Sequence, residues 1–200
     1  KVNLSTNNIF IEEKGNSGTE RISYALNKSF QHINDSDYCI IVLGDQPEVN
    51  PKLISRAKTE IESLSEEIDG VTFHFKNDCI EDFLGTKNCK MILGKNNITY
   101  YISRSPIPGF KEIKKYKNFK NFNQHISIVC LKAEWVRAYI NLSSYDAITE
   151  NNEWLNLILN GCKIKSFEVE SSYRCLDVNT IEDWEIYEKK YKQLNKTTHR

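Results

Sequence analysis

Asp45 and Asp177 are the residues of this sequence best placed to do chemistry. Asp45 lies just past an apolar run of strand length, DYCIIVL (37–43), in the segment LGDQP. Asp177 ends the run YRCLD, directly before a helix that Thr180 caps. In sheets covered by helices, ligands bind beyond the carboxyl ends of the strands. Two carboxylates brought there from distant parts of a chain can share one hard divalent cation. Mg²⁺ held by one or two carboxylates completes its shell with substrate phosphates and water. The plainer alternative makes Asp45 a turn residue before Pro47 and Asp177 an acid in the first turn of a helix. Position alone leaves both open. The histidines, His32, His74, His125 and His199, have no metal-ligand spacing. The cysteines, Cys39, Cys79, Cys89, Cys130, Cys162 and Cys175, form no CxxC pair and favour apolar runs such as ISIVCL. Reduced thiols in a cytoplasmic protein are therefore expected, not a disulfide scaffold.

The elements that must position these acids alternate along the chain. NIFIEE (8–13) reads as a strand. Ser17 and Thr19 then open a helix to about His32, with Ile22, Ala25, Leu26 and Phe30 at helical spacing. The run 37–43, apolar throughout, has the character of a central parallel strand covered on both faces. Pro51 begins a helix to about Leu64. There follow a strand over 70–76, a short helix near 78–84, and strands over 88–93 and 98–103. A Pro-, Lys- and Asn-rich stretch, 105–123, reads as a long loop or arm. Strand 125–131, helix 133–141 and helix 149–160 come next, the last ended by Gly161, whose lack of a Cβ suits a left-handed cap. Strands over 162–169 and 173–177 precede a final helix, 180–193. Such alternation predicts an α/β domain of three layers, with helices on both faces of a mostly parallel sheet.

Two hundred residues suffice for one domain with a sizeable core. Lys and Arg number 27 and Asp and Glu number 27, a balance that excludes a strongly basic nucleic-acid or membrane-surface binder. Hydrophobic residues make up 40%, enough for a core and against disorder. No apolar run approaches the ~20 residues that span a bilayer, and the opening KVNLSTNN holds no apolar targeting stretch. No nucleic-acid or membrane partner is expected.

Five segments occur in one order: SGTER (17–21), GDQPEVNP (44–51), YYISRSPIP (100–108), His125-Ile-Ser-Ile and LDVNTIED (176–183). With Glu153 and the helix closed by Gly161, this series resembles the 3-deoxy-manno-octulosonate (KDO) cytidylyltransferases, whose motifs are SGTDR, QGDEPxxxP, YFSRxPIP, HIGIY, ExLEQLR before Gly, and VDTPED. The resemblance covers residues 17–183. It implies an enzyme that joins CTP to a 3-deoxy sugar acid, with pyrophosphate leaving, for surface polysaccharide synthesis. It makes Asp45 and Asp177 the Mg²⁺ carboxylates and Arg104, His125 and Glu153 contacts to the sugar acid. Thr19, Glu20 and Arg21 fall near nucleotide and sugar. It also implies a homodimer formed through a protruding arm, about 98–124, here rich in Tyr100, Tyr101, Phe110, Tyr116, Phe119 and Phe122.

Departures from the family's pattern sharpen the expectation. The Gln before GDEP is Leu43 and the Glu of that motif is Gln46; the aromatic after HIGI is Val129; the Arg of LEQLR is Asn156; the Pro of DTPED is Ile181. Leu43, Val129 and Asn156 are expected near the sugar, so a different acid substrate is one outcome. The family's basic, glycine-bearing loop IPARxxSxRLPGK, which holds the triphosphate through amides and cations, has no counterpart in these residues. A first β-α-β portion is therefore expected to be missing, and the chain alone to be inactive. Three readings follow: a Mg²⁺-dependent cytidylyltransferase, a nucleotidyltransferase using another base or acid, and a catalytically degenerate domain kept for binding or assembly.

Overall fold

A computed structural model describes residues 15–111 and 119–197, with side chains to 192. The expected strand over 8–13 and Tyr116 lie outside the described residues. The first helix, α1 (Gly18–Ser29), starts because the Ser17 hydroxyl accepts from the Glu20 amide at 3.1 Å, satisfying a donor that a helix start leaves bare. The apolar run forms β1 (Tyr38–Val42). Next, α2 (Pro51–Glu62) is capped by Asn50, with Pro51 at its first position, where a missing N–H costs nothing. The chain continues through β2 (Gly70–Asn77), the short α3 (Ile80–Leu84), and a hairpin of β3 (Lys90–Leu93) and β4 (Thr99–Ser103). A long β5 (Phe122–Lys132) runs directly into α4 (Ala133–Ala138). Helices α5 (Tyr145–Glu150) and α6 (Glu153–Leu159), strand β6 (Ile164–Glu168) and helix α7 (Ile181–Thr197) complete the described chain.

One six-stranded sheet, with β5 as its spine, carries the fold. One edge of β5 pairs with β2. The other is shared by β3 near its start, where Lys90 opposes Gln124, and by β1 at its end, where Val42 opposes Ile128. Alternation along β5 divides the core. Ile126, Ile128 and Cys130 meet Leu53, Ala57 and Ile61 of α2 on one face. Val129 and Leu131 meet Leu26, Val136, Trp154 and Leu157 of α1, α4 and α6 on the other. The three-layer α/β architecture is therefore as expected. At Gly70, where β2 crosses β5, a Cβ would stand 2.7 Å from the Cys130 carbonyl oxygen, so only glycine fits the approach.

Three expectations are corrected. The sheet is mixed and not mostly parallel: β2 and β6 make the one parallel pairing among the described strands, and β5 is antiparallel to β1, β2 and β3. The run 37–43, expected as a central parallel strand covered on both faces, is β1, antiparallel to β5, its one partner among the described strands, and exposed at Tyr38 and Val42. Apolar composition alone fixes neither the direction of the neighbours nor a central place. The expected strand over 173–177 is absent; a single 3₁₀ turn, Ser171–Tyr173, leads into irregular chain. The expected helix 149–160 is two helices, broken where Asn151 takes a left-handed conformation (φ 47°) and Asn152 caps α6 by accepting from the amides of Trp154 and Leu155. The cap at Gly161 (φ 99°) is as expected. In the arm, Phe110, Phe119 and Phe122 pack around Phe83 of α3, with centroids 6.0, 4.9 and 5.5 Å from its ring. Tyr100 is 58% exposed.

Two buried histidines face each other across β2 and β5. His74 Nδ1 meets Ser166 Oγ at 2.7 Å, and His125 Nε2 meets Thr72 Oγ1 at 2.8 Å. Burial, with Lys76 nearby, lowers His74 to a pKa of about 4; burial, with His74 nearby, lowers His125 to about 3. The unfolded chain takes up these protons near 6.5 and the folded chain resists them. Their contribution to stability is thus complete above pH 6.5 and falls away from there towards 4 and 3. The expected slope is about 1.4 kcal/mol per pH unit for each histidine. Urea midpoints at pH 7 and pH 5 measure it, and His125→Leu, which removes one of the two titrating groups, should lower the slope by about half.

Candidate functional site

The residues of β5 just before its pairing with β1, Gln124 to Ser127, run past the end of β1 and floor a cavity of about 240 Å³. The loop after β1 brings Leu43, Asp45 and Gln46 to its wall. The loop before β3 brings Lys87, Asn88 and Cys89, the end of β4 brings Arg104, and the irregular chain before α7 brings Arg174, Cys175, Asp177 and Asn179. Asp45 and Asp177 are tied together through the main chain, the Val178 amide donating to the Asp45 carbonyl at 2.8 Å. Four residues expected at a site from the sequence, Asp45, Asp177, Arg104 and His125, thus share one cavity.

The acids sit in unlike surroundings. Asp177 accepts from the Gln46 side-chain amide at 2.8 Å. Burial, together with the neighbouring Asp45 charge, raises its pKa, against the pull of Gln46, Lys87 and Arg104. Asp45 Oδ1 and Gln46 Oε1 are buried with no partner. An orphaned carboxylate oxygen beside a second carboxylate is the donor set that a hard cation satisfies. Among the described residues, no three of His, Cys, Asp and Glu gather as a metal cage. Two carboxylates plus substrate phosphates suit Mg²⁺ and not an all-protein site.

Cations line the same cavity. The Arg104 guanidinium donates to the carbonyls of Thr86, Lys87 and Asn151 at 3.3–3.4 Å, and its Nε is buried without a partner. These acceptors are neutral; among the described residues no carboxylate touches the guanidinium. Glu150 instead holds its main chain, accepting from the Arg104 amide at 2.8 Å. Lys87 pairs with Asp183 at 2.6 Å, and Arg174 with Asp82 at 2.9 Å. Asp183 also accepts from the amides of Asn179 and Thr180, while Thr180 Oγ1 accepts from the Asp183 amide, a capping box that fixes the start of α7 next to Asp177. On the floor, Thr72 Oγ1 lies 3.0 Å from the Ile128 carbonyl. His125 Nε2 meets the same hydroxyl, and burial keeps the ring neutral.

The remaining expected residues lie elsewhere. Glu20 and Glu153 line a neighbouring cavity of about 310 Å³ with Tyr139, Asn152 and Asn156. It adjoins the first through Asn151, bonded to Arg104, and Asn152, whose amide lies 3.6 Å from Cys89 Sγ. Both oxygens of Glu153 are used at the start of α1, accepting from the amides of Gly18 (3.2 Å) and Thr19 (2.6 Å). Charge-assisted bonds of this kind contribute about 1.5–3 kcal/mol each. Glu153→Ala is expected to lower stability by about 1–3 kcal/mol, read from the denaturant midpoint at unchanged m. Thr19 gives its amide to Glu153 and has a buried, unpaired hydroxyl. Arg21 reaches back to the Gly15 carbonyl at 3.3 Å and borders an apolar depression with Ile22 and Phe30, away from the acids. Val129 is 1% exposed inside the core, so that departure lies away from both cavities, whereas Leu43 and Asn156 line them.

No family model matches the chain. A 3-deoxy-manno-octulosonate cytidylyltransferase of Thermodesulfovibrio yellowstonii is 31% identical over 190 residues, which cover 90% of this chain and 72% of that protein. One from Francisella tularensis subsp. novicida is 30% identical over 177 residues, covering 84% and 67%. Among solved structures, CMP:2-keto-3-deoxy-manno-octonic acid synthetase complexed with CTP superposes with a TM-score of 0.73 over 90% of this chain and 69% of that one, at 22% identity. That likeness shows the fold. The sequence relatives, aligned over most of both chains, show that this chain belongs to the 3-deoxy-manno-octulosonate cytidylyltransferase family.

Proposed function

We propose that this protein is a Mg²⁺-dependent cytidylyltransferase that couples CTP to a 3-deoxy sugar acid, KDO or a relative, releasing pyrophosphate and a CMP-sugar for surface polysaccharide synthesis. The observation that carries the reading is one cavity lined by both Asp45 and Asp177 and by Arg104. Asp45 and Asp177 would hold the ion. When bound, it neutralises charge on the α-phosphate and favours ionisation of the attacking hydroxyl. Little else covalent is asked of the protein, because positioning and charge neutralisation carry transfers of this type. Arg104, with a fork of donors and only neutral contacts, suits the sugar carboxylate. His125, kept neutral by burial, offers its ring to a sugar hydroxyl. Glu153, with both oxygens on α1 amides, acts by anchoring the helix start that carries Thr19 and Glu20 beside the second cavity. Arg21 contributes only if the nucleotide reaches the outer side of α1.

Free cysteines throughout support a reducing, cytoplasmic setting. Among the described residues no helix is long and apolar enough to cross a membrane. Exposed Tyr100 supports a homodimer built on the arm, for which light scattering should give twice the chain mass. The assay supplies CTP, Mg²⁺ and a panel of sugar acids including KDO, and follows pyrophosphate. It is run on this chain and on the chain extended by any in-frame upstream coding sequence. Absence of pyrophosphate with every acid in the extended form would leave the degenerate, non-catalytic reading.

A further inference from the structure

Lys90, at the head of β3, is fully buried, and yet it is the charged end of the side chain that is put to use. Its ammonium donates to three main-chain carbonyls: Gly85, Asn88 at 2.8 Å and Arg104 at 2.8 Å. All three protons are therefore spent, and each on a neutral acceptor. A buried cation without a touching carboxylate is costly unless its donors are all satisfied, and here the satisfaction comes entirely from the two strands of chain that wall the cavity. Gly85 and Asn88 bracket the turn that presents Lys87 just before β3, and Arg104 directly follows β4. The Arg104 guanidinium closes the same loop from the other side, on the carbonyls of Thr86 and Lys87.

We propose that Lys90 is a positioning residue: it clamps the 85–88 loop to Arg104, and so aims the guanidinium and Lys87 at the anionic groups of the substrates. The proposal rests on the transferase reading for what is aimed at, but not for the clamp. Shape explains little of this side chain's choice. A methionine would fill the same channel and leave three carbonyls buried and unpaired, free to draw the loop and the end of β4 apart. Lysine spans two segments that no main-chain ladder joins directly, because β3 and β4 begin and end their pairing at Lys90 and Ser103.

The test compares Lys90→Met, which removes charge and donors at constant length, with Lys90→Gln, which keeps a donor and is the reserve should the first not fold. Hydrogen exchange is followed peptide by peptide without substrate. Amides in 85–89 and 103–106 should exchange at least tenfold faster in Lys90→Met, those of β5 should be unchanged, and Lys90→Gln should be intermediate. In the form that turns over, the apparent KM for the sugar acid should rise about tenfold with kcat within about threefold. Lys90→Met combined with Arg104→Ala should be no worse than Arg104→Ala alone, since both act through one group. Unchanged exchange in the two segments overturns the clamp. An acid KM equal to the parent's, or a double variant whose losses simply add, overturns its role in aiming Arg104. A parent that turns over no acid defeats the transferase reading instead, and the exchange result then decides the clamp by itself.

Discussion

Asp45→Asn and Asp177→Asn are each expected to lower kcat/KM by about 100- to 1000-fold in the active form while the fold stays intact. A cation on a transferring phosphoryl group is worth several kcal/mol of transition-state stabilisation, and ~3–4 kcal/mol corresponds to two to three decades of rate. Asparagine keeps the shape at both positions. At 177 its carbonyl can still accept from Gln46, which donates to Asp177 at 2.8 Å in the parent. What is lost is one formal charge from a site that offers two, so the Mg²⁺ concentration for half-maximal rate should also rise.

The Asp45 charge opposes the ionisation of Asp177, and that supplies a second, independent readout. Asp177 is held above the ordinary carboxylate value by burial first and by Asp45 in addition. With no ion bound, Asp45→Asn relieves a repulsion and leaves an oxygen that was already unpaired. Thermal unfolding in the presence of a chelator should find it at least as stable as the parent. Loss of rate with gain of stability is the signature of a group retained for function against the interests of the fold. Were Asp45 only a turn residue before Pro47, the opposite pattern would appear: lower stability with the rate unchanged.

Much of this was legible in the sequence, and the limits have physical causes. The loop that carries Asp45 follows an apolar run that reads correctly as β1, and the cap at Thr180 fixes the chain near Asp177 through a capping box that spacing reveals. The sheet's handedness of pairing was not legible. In β5 both faces are buried, and a doubly buried strand looks alike beside parallel and antiparallel neighbours. The break between α5 and α6 hid in two asparagines, one left-handed and one a cap, within an otherwise helical pattern. Glu153 was expected as a contact to the sugar acid, but its carboxylate is spent on α1, a contact between residues 134 and 135 apart in sequence. Lys90 left only a faint signal, a lysine at the head of the apolar run MIL. Gln46 showed as a departure from the family's Glu. In the structure it is the donor that Asp177 needs, and a Glu there would set a third carboxylate against the other two unless the ion were bound.

Arg104→Ala should separate the two substrates. Its guanidinium is aligned by three long bonds to neutral carbonyls and retains a buried, unpaired Nε, so its charge is available in a cavity whose other cations, Lys87 and Arg174, are engaged by Asp183 and Asp82. A fork of this kind recognises a carboxylate through two parallel bonds, each charge-assisted bond being worth about 1.5–3 kcal/mol. The apparent KM for the sugar acid is therefore expected to rise about 10- to 100-fold, with the KM for CTP within about threefold. Arg104→Lys should recover only part of the loss, because an ammonium is a point charge without the fork. Steady-state kinetics with each substrate varied in turn makes the distinction. A rise confined to the KM for CTP would move Arg104 to the triphosphate and leave the sugar carboxylate to another group. The heir by geometry would be Lys87, whose carbonyl Arg104 holds and whose side chain is 53% exposed despite its bond to Asp183. Lys87→Ala would then carry the acid effect that Arg104→Ala lacked, so the pair of substitutions assigns the carboxylate whichever way the first result falls.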